Sequence, residues 1–318
     1  MSDPPRHSGR LEPAEEREFL PFVRELAAVS AAVIQGLHLQ GTPVETKADA
    51  SPVTLADRRA EELMRLLIGR RYPEHGVLGE EAGDERPQAR YRWLLDPVDG
   101  TKSFVANGFG FGTLIALLRD GRPILGAISH PPSGRLLLGL GGERTLLGER
   151  PVRVRDCRHI EDATLLATGH WELCARADGA AFEALSRRAR LYRGWGDCIG
   201  YFQLATGGAD LMFDAALQPW DIAALVPVVE GAGGRLSGLD GGPPMAARDL
   251  LASGSAPVCG CTGCATAGRS SATSWKPRTP DRAIPRPSWR RTWHWRHRRV
   301  LAASRSRRRG RLGRIRAP

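Results

Sequence analysis

Carboxylate side chains follow or interrupt apolar runs at four places in the chain, and each lies in a short motif that restrains the backbone. The motifs are Leu55-Ala56-Asp57, Gly79-Glu80-Glu81, Asp96-Pro97-Val98-Asp99-Gly100-Thr101 and Gln218-Pro219-Trp220-Asp221. Several carboxylates converging on one place would concentrate negative charge that only a cation could compensate. Oxygen ligands without a His/Cys cluster of zinc-site spacing favour a hard cation. The sequence therefore predicts a Mg²⁺ site.

The segment from Asp96 to Thr101 is the centre of this prediction. Pro97 fixes a turn, and Gly100 lets the backbone approach a ligand. Asp96 and Asp99 could therefore face one site, with the carbonyl group between them. Such a site suits two metal ions, of which one would activate water and both would stabilise phosphoryl oxygens during an in-line displacement.

Three further side chains complete the predicted chemistry. Glu80 and Thr101 would orient the attacking water. Asp57 could accept a hydrogen bond from the Thr101 hydroxyl and so make its oxygen a better acceptor.

Two predicted helices and a series of strands position these motifs. Apolar spacing predicts a helix from Glu12 to Gly36. A second helix is predicted to begin at Thr54, with Asp57 as its capping-box carboxylate, and to end before Tyr72. Predicted strands are Val77–Leu78, Trp93–Leu95, Phe111–Leu118, Ile124–Ile128 and Leu136–Leu140.

After about residue 160 helices and strands alternate. Strands are predicted at Thr164–Thr168 and Leu211–Phe213, and helices at Phe182–Ala189, Ile199–Thr206 and Ile222–Glu230. The sequence therefore predicts an α/β fold in which an α+β half is followed by an α/β half.

The positive charge of the chain lies at one end of it. Of 318 residues, 46 are Lys or Arg and 35 are Asp or Glu, for a net charge of +11. Residues 257–318 hold 16 Arg and one Lys against one Asp, so residues 1–256 carry a net charge of −5. We therefore do not expect nucleic acid as a partner, except through this basic end. Uninterrupted apolar runs are shorter than the roughly 18–20 residues of a membrane span, so we expect no membrane and a cytoplasmic location.

Residues 257–318 have three competing interpretations. Arg side chains interleaved with four Trp residues could bind RNA or DNA. A zinc site could use Cys259, Cys261 and Cys264 with His294 and His297. The third interpretation, which we favour, is a disordered or frameshifted end, because the composition changes abruptly and has no hydrophobic periodicity.

The motifs together resemble those of the inositol-monophosphatase-like Mg²⁺-dependent phosphatases over about residues 15–256. The resemblance rests on the Asp-Pro-Val-Asp-Gly-Thr turn, the Gly-Glu-Glu upstream of it, and the Trp-Asp before an Ala-rich helix ending in Gly-Ala-Gly-Gly. It implies a layered αβαβα sugar-phosphatase fold, two or three Mg²⁺ ions, a homodimer and hydrolysis of a small phosphate ester.

The family's functional positions carry over residue by residue. The implied metal ligands are Glu80, Asp96, the Val98 carbonyl, Asp99 and Asp221, and the implied catalytic residues are Glu80, Thr101 and Asp57. The implied substrate contacts are Glu80, Val98, Asp99, Gly100, Thr101 and Asp221, together with the three residues discussed next.

A second segment bears on the substrate. The Gly-Asp pair at Asp197, and the Ala-Thr-Gly-Gly-Ala-Asp that follows, are similar to the histidinol-phosphate phosphatases of the same family. Asp197 and Asp214 would suit a cationic substrate, and Arg193 matches a substrate-contacting position. Asp197 could instead cap the helix near Ile199.

These observations predict a histidinol-phosphatase of histidine biosynthesis. An inositol-1-monophosphatase is the alternative within the family, and a nucleic-acid-binding protein acting through its basic tail is the alternative from another class. The predicted domains are a disordered leader at 1–11, a phosphatase domain at 12–256 that divides near residue 155, and the tail at 257–318.

Overall fold

A computed structural model of the chain describes residues 6–40, 44–46 and 52–254. Residues 1–5 of the predicted leader and residues 257–318 of the predicted tail lie outside the described residues. The helices are α1 (Pro13–Leu37), α2 (Leu55–Arg71), α3 (Thr101–Val105), α4 (His170–Ala175), α5 (Gly179–Arg188), α6 (Asp197–Ala205), α7 (Pro219–Ala223) and α8 (Leu225–Gly231).

The strands form three sheets. A small hairpin pairs β1 (Val44–Thr46) with β2 (Pro52–Thr54). The large sheet contains β3 (Gly76–Gly79), β4 (Gly83–Glu85), β5 (Tyr91–Asp99), β6 (Gly112–Arg119), β7 (Arg122–His130), β8 (Arg135–Leu140), β9 (Arg144–Leu147) and β10 (Arg150–Val152). The second sheet contains β11 (Thr164–Ala167), β12 (Leu191–Arg193), β13 (Leu211–Asp214), β14 (Arg235–Gly238) and β15 (Leu250–Ser253).

The large sheet is almost wholly antiparallel. Its order is β10-β9-β8-β7-β6-β5-β3-β4, and only β3 and β5 run parallel. The second sheet has the order β12-β11-β13-β15-β14, with β11 parallel to both β12 and β13. The predicted α/β fold class, with an antiparallel-rich part before an α/β part, is confirmed.

The hydrophobic cores define five layers. α1 and α2 pack on one face of the large sheet, and α6, α7 and α8 lie between the two sheets. α4 and α5 cover the other face of the second sheet. α8 approaches the large sheet so closely that a Cβ at Gly139 would lie 2.3 Å from the Pro227 carbonyl carbon. This is the predicted αβαβα layering.

Helix α2 follows its sequence prediction closely. Thr54 is the N-cap, its hydroxyl accepts from Ala56 N at 3.1 Å, and the Asp57 carboxylate accepts from Thr54 N at 2.8 Å. The capping box therefore fixes Asp57 at the first turn and buries it.

Helix α1 is longer than any uninterrupted apolar run in the sequence. By length and composition alone it could cross a membrane, with a mean hydropathy of 1.3 over 18 residues. Its face containing Phe19, Phe22 and Leu26 instead packs into the core against Trp93. The apolar residues of α1 therefore contribute to the core of this fold.

The predicted helix Ile222–Glu230 is two helices in the structure, and this prediction is corrected. α7 ends at Ala223 and α8 begins at Leu225. Pro227 has no N–H to donate to the Ala223 carbonyl, so one α-helical hydrogen bond is missing where the two helices meet.

The prediction that the leader is disordered is also corrected for residues 6–11, which contact the rest of the fold. Ser8 is buried, and its N–H donates to the Glu230 carboxylate at 3.0 Å. Gly9 N donates to the Pro123 carbonyl at 2.9 Å, and Leu11 is buried in the core beside the large sheet. Hydrogen bonds to a buried carboxylate offset the entropy that ordering this segment costs.

Candidate active site

A β-bulge at the end of β5 places the two central aspartates. Asp96 pairs with Leu114 and Asp99 pairs with Gly112, so two β5 residues lie opposite the single residue Thr113. In a regular strand, side chains three residues apart point to opposite faces. The extra residue shifts this alternation, so that both carboxylates can face one site. The Thr113 hydroxyl holds the bulge by donating to the Pro97 carbonyl at 2.8 Å.

Asp96 is a buried carboxylate surrounded by other carboxylates. It is 2% exposed, and its Oδ1 has no hydrogen-bond partner among the described residues. Burial raises its pKa well above the usual range, and the charges of four other carboxylates raise it further. In order of effect these are Glu80, Asp99, Asp221 and Asp57. The structure thus brings together the five predicted carboxylates.

Asp99 and Asp221 come from two different elements, the end of β5 and helix α7. The Asp99 carboxylate accepts a hydrogen bond from Cys198 N of α6. Asp221 is the third residue of α7, and its carboxylate accepts from Gln218 N at 2.7 Å in a capping box. Burial, followed by the nearby charge of Glu80, raises the pKa of Asp221 to about 7. The helix caps hold both groups rigidly while burial disfavours their charge.

Thr101 lies between the β5 bulge and α2, as the sequence predicts. Its Oγ1 lies 2.9 Å from the Val98 carbonyl and 3.4 Å from Asp57 Oδ1. Burial raises the pKa of Asp57, although hydrogen bonds from Thr54 oppose that effect. The predicted contact between Asp57 and Thr101 is present in the structure.

Gly100 is the N-cap of α3 and has a left-handed conformation, with φ of 85°. A Cβ at this position would lie 2.6 Å from the Gly110 carbonyl oxygen and 3.2 Å from Asp197 Oδ2. Only glycine allows this turn and the close approach of Asp197 to it.

The donor set fits a hard divalent cation. Its available groups are carboxylates and the Val98 carbonyl, and the orphaned Asp96 Oδ1 is buried without a compensating donor in residues 6–40, 44–46 and 52–254. Within those residues no three His, Cys, Asp or Glu side chains form a ready-made cage. Mg²⁺ commonly takes only one or two carboxylates and completes its shell with waters and substrate phosphate. The residues therefore fit Mg²⁺.

Asp197 extends the site towards a neighbouring cavity. It is the first residue of α6 and has φ of 50°, which is uncommon outside glycine. Its N–H donates to the Thr168 hydroxyl at 2.6 Å. Burial raises its pKa to about 6, and Lys102 opposes the shift. Asp197 was alternatively predicted to cap α6, but the N-cap is Gly196, and Asp197 is the first residue of the helix.

The cavity has a volume of about 430 Å³ and combines aromatic and polar walls. Phe109 and Trp195 line it and are 61% and 51% exposed. Asp197 is its acidic lining residue, and Ser103 and Gln203 are neutral polar ones. A cavity with aromatic walls and one acidic residue suits a ligand that is partly aromatic and carries positive charge.

Two residues predicted to contact substrate, Arg193 and Asp214, are not among those that line this cavity. Arg193 is exposed at the end of β12, and its Nη1 donates to the Tyr192 carbonyl at 2.7 Å. Asp214 is 2% exposed and accepts from Ala215 N at 3.0 Å, while Thr168 also hydrogen-bonds to it. The Asp214 carboxylate is as buried as that of Asp96, and its charge helps to raise the pKa of Asp99, so its predicted substrate contact stays a prediction.

Several residues of the site were missed in the sequence. Phe109 and Trp195 form its aromatic wall, Lys102 faces Asp197, and Glu61 holds the backbone that follows Glu80. The only signal for Glu61 was its spacing of four residues from Asp57, which places both acids on one face of α2.

The chain matches known proteins over most of its length. Residues 15–267 match the inositol monophosphatase family. A chloroplastic protein of Arabidopsis thaliana, "Bifunctional phosphatase IMPL2", is 38% identical over 71% of this chain and 66% of that protein, so the chain spans slightly less than two thirds of this relative. A histidinol-phosphatase of Chlorobaculum parvum is 39% identical over 60% of this chain and 74% of that protein.

The fold also matches solved structures. An inositol monophosphatase from Zymomonas mobilis superposes with a TM-score of 0.69 at 33% identity, covering 79% of this chain and 98% of that chain. An inositol monophosphatase from Anabaena gives a TM-score of 0.65 at 28% identity, over 75% of this chain and 92% of that chain.

Proposed function

The chain belongs to the inositol monophosphatase family and is a phosphoric monoester hydrolase, and we propose that it converts histidinol phosphate and water into histidinol and phosphate. The observation that carries this choice is Asp197, whose carboxylate lies beside Gly100 and lines a cavity with two aromatic side chains. Members of the family generally depend on Mg²⁺. The number of ions, two or three, belongs to the proposal.

The acid cluster divides the chemistry among its members. Glu80, Asp96, the Val98 carbonyl, Asp99 and Asp221 would hold the metal. Bound Mg²⁺ would supply charge neutralisation and a more acidic water at the phosphoryl group.

The protein's own groups would orient the reactants. Glu80 and Thr101 position the attacking water. The Thr101 hydroxyl, which lies 2.9 Å from the Val98 carbonyl and 3.4 Å from Asp57 Oδ1, can donate its proton to either acceptor. The water oxygen bonds to phosphorus and gives up a proton as the bond from phosphorus to the substrate's alkyl oxygen breaks. The leaving oxygen takes up one proton, so the water consumed accounts for both the alcohol and the phosphate released.

The leaving group distinguishes the proposed substrate from inositol phosphate. Histidinol carries an ammonium group and an imidazole ring, whereas inositol carries only hydroxyls. A partly desolvated carboxylate stabilises an ammonium through charge-assisted hydrogen bonds, and aromatic walls pack on a planar ring. The histidinol-phosphatases of Chlorobaculum parvum and Mycobacterium tuberculosis, 39% and 37% identical to this chain, support the same choice.

Inositol 1-phosphate is the second candidate. The structural relative from Zymomonas mobilis is an inositol monophosphatase, and an inositol-1-monophosphatase of Mesorhizobium japonicum is 29% identical over 69% of this chain. Ser103 and Gln203 in the cavity wall could hydrogen-bond a polyol.

Side-by-side kinetics of phosphate release test the proposal. We expect the full chain in Mg²⁺ to prefer histidinol phosphate, and Asp197→Asn to lower kcat/KM for that substrate about 10- to 100-fold, since a hydrogen bond to a charged group is worth about 1.5–3 kcal/mol. Asn tolerates the left-handed backbone at this position. With inositol 1-phosphate the variant should change little.

Asp120→Asn is the matched control. Asp120 also has a left-handed backbone, with φ of 51°, but lies in the β6–β7 turn beside Arg90 on the surface. This variant should leave both substrates unaffected. Equal losses on the two substrates with Asp197→Asn, or a wild-type preference for inositol 1-phosphate, would exclude the proposed specificity.

The remaining sequence predictions stay predictions. They are the cytoplasmic location, the homodimer, the substrate contacts by Arg193 and Asp214, the boundaries near residues 155 and 256, and the nature of residues 257–318.

A further inference from the structure

We propose that Glu61 is a positioning residue whose buried carboxylate holds the turn carrying Glu80 in the geometry that metal binding requires. This inference rests on the metal-binding role proposed for Glu80. Glu61 lies on α2 one turn after Asp57 and is 1% exposed. It is therefore a buried acid outside the metal-ligand set.

The Glu61 carboxylate binds the backbone immediately after Glu80. Its Oε2 accepts from Glu81 N at 2.8 Å, and its Oε1 accepts from Ala82 N at 3.0 Å. On the preceding side, Glu80 N donates to the Leu95 carbonyl at 3.2 Å. The backbone around Glu80 is thus fixed from β5 on one side and from α2 on the other.

Arg65 completes this clamp and compensates the buried charge. Its Nε donates to Glu61 Oε1 at 2.8 Å. Its Nη2 donates to the Gly83 carbonyl at 2.5 Å, and its Nη1 lies 3.3 Å from Glu85 Oε1. Arg65 therefore ties the far end of the same turn, at the start of β4, to α2.

Gly79 shows how closely the carboxylate fits beneath the turn. A Cβ at Gly79 would lie 2.1 Å from Glu61 Oε1 and 2.4 Å from its carboxyl carbon. The absence of a side chain at residue 79 is what leaves room for Glu61. Gly79 and Glu61 thus act as one structural unit directly before Glu80.

This arrangement distinguishes Glu61 from an acid that only stabilises the fold. Its contacts are to the turn that positions one proposed metal ligand, whereas Asp96 and Asp99 are placed by the β5 bulge and Asp221 by α7. Loss of Glu61 should therefore affect metal binding through Glu80 and leave the other ligands in place.

Glu61→Gln tests the positioning role, because it keeps the size of the side chain but presents an NH₂ group to one of the two backbone N–H donors. We expect Mg²⁺ affinity, measured by calorimetry without substrate, to fall about tenfold, and the Mg²⁺ concentration for half-maximal phosphate release to rise by the same factor. Glu62→Gln, an exposed neighbour paired with Arg59 on the same helix, is the control and should change neither quantity.

A double-mutant cycle with Glu80→Gln decides between positioning and general stability. If Glu61 acts through Glu80, Glu61→Gln should have no further effect on Mg²⁺ affinity in the Glu80→Gln background. Additive losses, or an unchanged affinity in Glu61→Gln, would overturn the inference. If Glu61→Gln does not fold, Arg65→Gln takes its place in the cycle. This variant loosens the same turn, because it removes the hydrogen bonds from Arg65 to Glu61 and to the Gly83 carbonyl.

The same measurements separate this inference from the function on which it rests. If Glu80→Gln alone leaves Mg²⁺ affinity unchanged, the proposed role of Glu80 is wrong. If Glu80→Gln lowers the affinity and Glu61→Gln does not, Glu80 keeps its role and only the positioning role of Glu61 fails.

Discussion

Asp96 in β5 and Asp210 beside β13 are both buried aspartates, but their surroundings differ. Asp210, just before β13, is 0% exposed; its carboxylate accepts from Arg155 Nε at 3.0 Å and from Thr164 N at 2.7 Å. Asp96 has an orphaned oxygen and four neighbouring carboxylates. The chain itself compensates the charge of Asp210, whereas the charge around Asp96 accumulates. A buried carboxylate is structural in the first setting and suited to an external cation in the second.

Asp99→Asn, in the acid cluster around Asp96, should have the largest effect on activity. It removes a proposed metal ligand, and we expect kcat/KM for histidinol phosphate to fall roughly 10³-fold, equivalent to about 4 kcal/mol of transition-state stabilisation. Because it also removes charge from a repulsive cluster, the metal-free variant should be at least as stable as the wild type. Steady-state kinetics and thermal unfolding in EDTA measure the two effects. Near-normal turnover would refute the ligand role.

Asp210→Asn should show the opposite pattern. It leaves the Arg155 guanidinium without its carboxylate, and we expect the free energy of unfolding to fall by roughly 2–4 kcal/mol. Activity of the protein that remains folded should stay within about twofold of wild type, since nothing at Asp210 touches the site. Urea unfolding and active-site-normalised kinetics check this. A large loss of kcat with unchanged stability would contradict the contrast drawn between the two aspartates.

The pH dependence of the free energy of unfolding should report the uncompensated charge of the acid cluster. In the folded protein the pKa of Asp221 is raised to about 7 and that of Asp197 to about 6, whereas an unfolded Asp ionises near about 4. Between these values the folded state binds more protons, so the free energy of unfolding should fall as pH rises from about 4 to 7.

Melting temperatures at pH 5, 6, 7 and 8 in EDTA measure this effect. Excess Mg²⁺ should flatten the dependence, because bound cations replace the protons as compensating charge. A metal-free protein whose melting temperature is constant or rises across this range would contradict the predicted electrostatic stress.

The parts of the fold that could be predicted are those encoded by local rules. The Thr54–Asp57 capping box fixed the start of α2, and apolar alternation located the long strands of the large sheet. The placement of Asp96 and Asp99 could be predicted for the same reason, because they flank a Pro-Val pair that forms a bulge. Their roles as metal ligands stay predictions.

Other features depended on tertiary contacts and were missed. The short strands β9, β10, β12 and β14 contain three or four residues each, too few to show a period. The burial of Asp214 at the end of β13 depends on how α6 packs against that strand. In the sequence Glu61 looks like any acidic residue of a helix. Its role depends on the tertiary contact between its carboxylate and the turn after β3.

The contact between the 6–11 segment and Glu230 has a consequence for how the chain folds. Ser8 and Glu230 are 222 residues apart in sequence, yet the Glu230 carboxylate accepts from both His7 N and Ser8 N. During synthesis the 6–11 segment must wait for α8 to emerge before these hydrogen bonds can form. Contacts of such long sequence separation slow folding, because the entropy of loop closure is lost before the contact stabilises anything. This segment should therefore acquire protection from hydrogen exchange only after α8 has docked between the sheets.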